Sequence, residues 1–440
     1  MASRLFGILV AVIALPTAAV AQSHNLVEAP AVGECFRVSI ETNLSGTMKV
    51  VHDGKEEAVK LTAKNEHAIL ERVLKADKGL ARKSARYYEK AVCAVAVGND
   101  RFKRGLRDDR RLIVAQRAGD DLLCYSPAGP FTRQELEVAS EHFDTLFLTG
   151  LLPDKEVAVE GSWKISNATA QAVCLLEGLI SHDLTGRLKE VKDGHAIIAI
   201  SGKASGIELG ASVKLEITAT LRYDLLSHRL ASIEWKQKDL RDQGPASPAI
   251  EAESTTIIKR ELLGDEPKEF SKAALASVPS EDDPPELLKL LQHTDAASKY
   301  SCLYARDWHI VGETENFLVL RLLDRGDFMA QATIAKWKKA DAGKHTEPNE
   351  FKQSIALAPG WQLDDVIESG EVPTDEGRWI YRVTAKGELD GAKVIQTYFL
   401  LAGANGDQVA ITFTMKPGNA AKIGTRDLAL VNAIEIIGKK

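Results

Sequence analysis

The sequence predicts an α+β fold that is predominantly antiparallel β: a large curved sheet or half-barrel, followed by a smaller α+β unit. Three observations in its 440 residues carry this. Apolar and polar residues alternate with a two-residue period through "CFRVSIE", "TMKVV", "HAIIAIS", "SVKLEITATLRY", "RLASIEWKQ", "WIYRVTA", "KVIQTYFLLA" and "QVAITFT", the pattern of strands with one buried face. The pairs Asp53-Gly54, Asp193-Gly194, Asp390-Gly391 and Asn405-Gly406 supply the positive-φ residues of two-residue hairpins. Helical spacing is confined to short segments, so antiparallel meanders are favoured over a doubly wound α/β arrangement.

Reading from the N-terminus, "LFGILVAVIAL" behind Arg4 is an apolar run too short to span a bilayer, and "TAAVAQS" places small residues at Ala19 and Ala21. This is an export signal, residues 1–21, with cleavage expected after Ala21 and a periplasmic or extracellular mature protein. No later run is long and apolar enough for a transmembrane helix. Residues 32–264 are expected to form the curved sheet. Within them Thr132 and Glu135 match a capping box, with Phe131 and Leu136 at the staple positions. Leu136, Ala139, Phe143, Leu146 and Phe147 then recur at helical spacing, so a helix is expected over 132–148. Residues 265–295 are acidic and Pro-rich, with Pro284-Pro285, and read as a linker whose "PELLKLLQ" begins a short helix. Residues 296–440 form the second unit, closing with a helix through "RDLALVNAIEII".

In that second unit, "ENFLVLRLLDRGDFMAQATIAKW", "EFKQSIALAPGW" and "GRWIYRVTAKGELDGAKVIQTYFLLAGANGDQVAITFT" give paired strands, a helix, a long meander and a final helix. This order resembles the PsbP-like α/β/α sandwich, found in a photosystem II extrinsic protein and in bacterial relatives. The resemblance implies a binding or assembly module and transfers no catalytic residue. The first unit is similar, in architecture alone, to LolA-type envelope half-barrels.

The composition, 45% apolar and 27% charged with a net charge of −6, is that of a globular protein without a global pull toward nucleic acid or anionic membrane. The charge is nonetheless segregated. Residues 72–117 hold fourteen Lys or Arg against five Asp or Glu, and residues 251–286 hold ten acids against four bases. Within the basic region, "NDRFKRGLRDDRRL" marks Arg101, Lys103, Arg104, Arg107, Arg110 and Arg111 as a patch for an anionic partner. Its interleaved Asp100, Asp108 and Asp109 and its single aromatic, Phe102, argue against a nucleic-acid arm. The alternative is a solvated hairpin paired with the acidic linker, in which neutralising the arginines leaves folding nearly unchanged.

Motifs for catalysis are wanting. The sequence has no His-Glu-x-x-His, no Cys-x-x-Cys, no Gly-x-Ser-x-Gly and no strand-borne Gly-x-Gly-x-x-Gly. Glu141, His142 and Asp144 lie close together, but neighbouring helix positions diverge, so a solvated helix face is expected rather than a metal site. No catalytic, cofactor-binding or metal residue is assigned. Five Cys follow the signal, and Cys93 with Cys124 is the disulfide that two predicted strands allow, buried thiols being the alternative. Trp361, after Pro359-Gly360, could stack a ligand at a strand mouth or anchor the core. The expectation is an exported, non-enzymatic binding or envelope-assembly protein. Its partner would be a lipid, small molecule or envelope protein, held in the concave face of the first unit or between the two. A secreted hydrolase with a site assembled from distant residues, and a structural cell-surface protein, are the alternatives.

Overall fold

The computed structural model describes residues 23–437 except 53–54, 120, 141, 296–299 and 375–377. The export signal and the Asp53-Gly54 turn therefore lie outside the described residues. Thirteen strands form one open sheet: β1 Cys35–His52, β2 Lys55–Asp77, β3 Leu80–Val97, β4 Asp100–Gly105, β5 Leu112–Ala118, β6 Asp121–Tyr125, β7 Ser162–Lys164, β8 Gly178–His182, β9 Thr185–Lys192, β10 His195–Glu208, β11 Ala211–Asp224, β12 Arg229–Arg241 and β13 Ile250–Leu262. The order is β6-β5-β3-β2-β1-β13-β12-β11-β10-β9-β7, with β4 beside β3 and β8 beside β10. Every strand pair in it is antiparallel. The fold is predominantly antiparallel β, as the alternation requires. In β11, Val213, Leu215, Ile217, Ala219, Leu221 and Tyr223 are buried and the residues between them exposed.

Two-residue hairpins with both central residues at positive φ occur at Lys78-Gly79, Asp193-Gly194, Leu209-Gly210, Arg325-Gly326 and Asp390-Gly391. The pair Asn405-Gly406 differs from its expectation. It sits in a five-residue loop, closed by Gly403 N–H to Asp407 O at 3.0 Å.

Segment 131–176 covers the inner face of the sheet. It holds helices α1 (Arg133–Ser140) and α2 (Asn167–Val173) and a 3₁₀ turn, Thr145–Leu151. The capping box forms: Glu135 N–H donates to Thr132 Oγ1 at 3.2 Å, and Thr132 N–H to Glu135 Oε2 at 2.9 Å. The helix expected to run through 148 stops at Ser140, because Asp144 opens a new turn by accepting from Leu146 N–H at 3.1 Å. Leu136, Phe143, Leu146, Phe147, Leu151 and Val173 pack into one core with Val38, Ile40, Ile69, Ile198, Leu221 and Ile233.

A seven-stranded sheet follows: β16 Trp308–Glu313, β17 Phe317–Asp324, β18 Asp327–Trp337, β19 Trp361–Glu371, β20 Trp379–Leu389, β21 Ala392–Ala402 and β22 Gln408–Met415, in the order β16-β17-β18-β22-β21-β20-β19. Helix α3 (Pro348–Ala356) packs Phe351 and Ile355 against it. Strands β14 (Leu291–Asp295) and β15 (Tyr300–Tyr304) pair with a last strand, β23 (Ile434–Ile436). The closing helix α4 is only Arg426–Asn432, since the alternation Ile434-Glu435-Ile436 completes this small sheet instead. Likewise "PELLKLLQ" gives a four-residue turn, Glu286–Lys289, before β14 begins. Among the described residues no helix is long and apolar enough to cross a membrane.

The acidic segment is no free tether. Phe270 is fully buried beside Cys35, Leu70 and Ala85 on the outer face of the first sheet. Arg72 pairs with Glu266 at 2.8 Å, Lys75 with Asp282, and Lys83 Nζ donates to the carbonyls of Pro279 and Glu281 at 2.9 and 3.1 Å. The halves are also bolted directly. Arg306 Nη2 donates to Cys124 O at 2.8 Å, and Arg133 Nη2 donates to Arg306 O at 2.7 Å. Truncating the buried aromatic anchor should therefore cost about 3–5 kcal/mol. Phe270→Ala is expected to lower the urea midpoint accordingly and to make segment 264–285 the first site of limited proteolysis.

Candidate ligand-binding face

Polar residues under the covering segment form a buried network. Glu71 Oε1 accepts from Ser84 Oγ at 3.0 Å, Arg86 Nε at 2.9 Å and Thr145 Oγ1 at 2.6 Å, while Arg86 Nη2 donates to Thr145 Oγ1 at 2.7 Å. Asp144, 1% exposed, takes Arg117 at 3.2 Å and Arg86 at 3.6 Å. Burial raises the Glu71 carboxyl, but the Arg86 charge and the hydrogen bonds from Thr145 and Arg86 outweigh it and hold the group below its usual range. His142 is also buried. Its Nδ1–H donates to Phe143 O at 3.0 Å, so Nε2 accepts from the Tyr88 hydroxyl at 2.7 Å and the ring is neutral. The expectation of a solvated face for His142 and Asp144 is therefore wrong: the break after Ser140 turns both into the core. Glu141 lies outside the described residues. A cavity of about 10 Å³ beside Glu71, Ser84, Thr145 and Arg260 has room for about one water molecule.

The basic patch is spent mostly inside the molecule. Arg107 makes a two-pronged contact with Glu135, Nε to Oε1 and Nη2 to Oε2, each 2.7 Å. Arg104 pairs with Glu137, so two arginines brace α1. Arg110 is buried, paired with Asp109 at 2.6 Å and bonded to Pro130 O at 3.2 Å. Arg111 pairs with Asp108 at 2.8 Å, and Arg101 bonds the carbonyls of its own turn. Lys103 stands exposed. The solvated-hairpin alternative thus fails for Arg107 and Arg110, whose guanidinium groups tie the loop to the helix N-terminus.

Two other expected sites are corrected. Trp361 is 6% exposed and packs with Phe351, Ile355 and Tyr381, so no ligand stacks on it. No disulfide joins Cys93 and Cys124. Cys124 aligns through Ala115 with Ser84, nine residues from Cys93 along β3, a separation of about 30 Å against the ~7 Å limit for bridging. Burial pushes the Cys124 thiol up to about 11.

The inner face changes character where the strands outrun their cover. Beyond Thr42, Asn65 and Cys93, inward positions are Leu44, Gly46, Met48 and Val50 on β1, Glu57, Val59, Leu61 and Ala63 on β2, Val95 and Val97 on β3, and Asp100 and Phe102 on β4. The face is thus apolar except at its far rim, where Glu57 and Asp100 lie. Leu44, Ala63, Val95 and Phe102 form one cross-strand row. Unlike the core rows, these residues are mostly partly exposed, and Phe102 is 50% exposed. The row is an apolar strip whose residues join none of the hydrophobic cores, and α1 meets β4 beside it through the Arg104–Glu137 pair. On the opposite face, a cleft of about 960 Å³ crosses β8 and β10–β13 to β1. Of its exposed charges, Lys203 pairs across strands with Glu216 at 2.6 Å and Lys238 with Glu253 at 2.8 Å.

At the inner end of β10 and β12, one guanidinium serves several acids. Arg241 contacts Glu208 at 2.6 Å and Asp239 at 3.5 Å, and Glu177 accepts from Leu209 N–H nearby. Burial, only partly offset by Arg241, lifts the Glu208 carboxyl to about 7.

No protein-family model matches the chain, and no curated protein matches it. Among solved structures it is similar to cyanobacterial PsbP (CyanoP) of Synechocystis sp. PCC 6803, at 12% identity over 34% of this chain and 92% of that one, with a TM-score of 0.26. A Bacteroides thetaiotaomicron VPI-5482 structure is similar at 15% identity over 34% of this chain and 48% of that one (TM-score 0.23). Lipovitellin is similar at 8% identity over 54% of this chain and 26% of that one (TM-score 0.31). The chain spans less than two thirds of the last two. At these TM-scores the likenesses carry no argument, and the strand order stands by itself.

Breaking the buried network from one side should cost about 3–5 kcal/mol, because a charge is left without its partner. Arg86→Met is expected to show that loss in urea unfolding, and Arg86→Met with Glu71→Met to regain much of it. For Glu208, the folded state keeps a proton that the unfolded chain releases at lower pH. Its contribution is therefore present below the unfolded value and lost as pH rises toward 7. Glu208→Gln should gain about 1–2 kcal/mol at pH 8 and nothing at pH 4, read from denaturation curves at the two pH values.

Proposed function

We propose that the protein is an exported, non-enzymatic binding protein that holds an apolar or amphipathic ligand on the uncovered strip of β1–β4. The single observation that carries this is the mismatch between strand length and cover. An apolar sheet face in water is covered by another layer or by a ligand. Strands of 18 and 23 residues in β1 and β2 extend well past segment 131–176. The inward residues there are apolar up to the rim, where Glu57 and Asp100 stand, while the outward Asn43, Ser45, Thr47 and Lys60 are polar and exposed. In this reading residues 32–264 are the binding domain and residues 296–440 an assembly domain docked to it. The export signal expected over residues 1–21 supports a binding event outside the cytoplasm.

The test is displacement of an environment-sensitive apolar dye from the purified mature protein. Leu44→Lys and Val95→Lys are expected to weaken dye binding at least tenfold, and the outward Asn43→Lys to leave it unchanged. Equal binding by all three would place the site elsewhere and overturn the proposal.

A further inference from the structure

The strip ends, on its inward side, in polar atoms that have no partner. Next along β2 after Ala63 comes Asn65, on the same face, and after it His67. Asn65 Oδ1 and His67 Nδ1 are both buried without a hydrogen bond, and His67 is 4% exposed. Orphaned buried polar atoms are uncommon in folded proteins, and each costs about 1–3 kcal/mol while unmet. Here two lie on one strand face where an apolar surface meets the core.

The other polar groups in this seam are closed. Thr42 and Thr256 bond each other at 3.0 Å, Trp235 Nε1 donates to Gln237 Oε1 at 3.1 Å, and Arg104 is paired with Glu137. The seam is therefore electrically neutral. Asn65 is itself partly exposed, and a turn about its last torsion presents the oxygen to the strip at small cost.

Resting on the binding reading above, we infer that the ligand carries an uncharged hydrogen-bonding head, a hydroxyl or carboxamide, on an aliphatic body. The head meets Asn65 and the wall formed by His67, and the tail lies along Leu44, Ala63, Val95 and Phe102. A hydroxyl suits both atoms, since it donates to Asn65 Oδ1 and can donate to or accept from a neutral imidazole. Burial keeps that imidazole neutral, its pKa pushed down to about 4. A sulfate or ammonium head would lose hydration here with no opposite charge to replace it.

Chain-matched probes separate the outcomes: 1-dodecanol, dodecane, dodecyl sulfate and dodecyltrimethylammonium, each competing against the apolar dye. Dodecanol should bind at least tenfold more tightly than the other three. Asn65→Leu should erase the preference over dodecane while retaining binding of both, and Asn65→Ala serves the same purpose if the larger side chain impairs folding. The outward Asn43→Leu should keep the preference. Equal affinity of dodecanol and dodecane for the wild-type protein would overturn the head-group inference and leave the apolar strip standing. Tightest binding by dodecyl sulfate would overturn it as well, showing a charged site. Binding by none of the probes would overturn the underlying reading.

Discussion

The structure depends on one constraint: an antiparallel sheet with an apolar face needs cover, and this chain brings less cover than sheet. Segment 131–176 closes the inner face from Val38 to Trp235, where Phe143 meets the Trp235 ring edge-on at 5.0 Å. The acidic segment around Phe270 closes part of the outer face. Both sides of β2 and β3 are thus sealed at one end, around Leu70 and Ala85 outside and Ile69 and Tyr88 inside. At the other end neither segment reaches. A sheet can stay folded there because its strands remain hydrogen-bonded to their neighbours, but its inward apolar side chains stay in contact with water. The sealed end supplies rigidity and the unsealed end supplies unmet apolar surface.

The charges in the sealed end follow the same logic. Burying Arg86 and Glu71 costs desolvation that their mutual attraction only roughly offsets. Each, however, also meets Thr145, which sits one residue beyond Asp144 at the start of the 3₁₀ turn. The network therefore fixes where the covering segment lies on β2 and β3. A slip of one residue along either strand would turn Glu71 or Arg86 to the outer face and leave the other buried alone. Specific placement of the cover is what leaves the strip beyond Thr42 reproducibly open.

The sheet was legible in the sequence because period-two alternation is a local signal, and β10–β12 and β20–β22 follow the strands quoted from it. Hairpins at Asp193-Gly194 and Asp390-Gly391 were legible too. Those at Lys78-Gly79, Leu209-Gly210 and Arg325-Gly326 were not, since a Lys, Leu or Arg in left-handed conformation gives no compositional cue. The site was harder to read for a different reason. Spacing along α1 predicted where Glu135 and Leu136 would point, but the break after Ser140 rotated His142 and Asp144 inward, and that break is set by partners on β3 and β5. Arg107 and Arg110 looked solvated because their partners Glu135 and Pro130 lie 28 and 20 residues away along the chain. Half-burial of Leu44 or Val95 is likewise invisible in alternation, which looks the same whether or not a layer lies above it.

Segregated charge is the feature that most invites a polyanion as partner, and the fold answers it from within. The basic excess of 72–117 meets carboxylates at Glu66, Glu71, Glu135, Glu137, Asp144, Glu266 and Asp282. Cations already held at 2.6–3.2 Å by carboxylates of their own chain have little field left to offer at a distance, and salt screens what remains. An anionic polymer would have to break these pairs, several of them partly buried, before gaining its own. Apolar surface has no such internal competitor. Among the described residues, Leu44, Ala63, Val95 and Phe102 form a row left partly in water, and Asn65 Oδ1 and His67 Nδ1 at its inner end have no hydrogen bond. In the proposed reading, recognition is driven by burial of a tail and oriented by a neutral polar contact, and electrostatic attraction plays the smaller part.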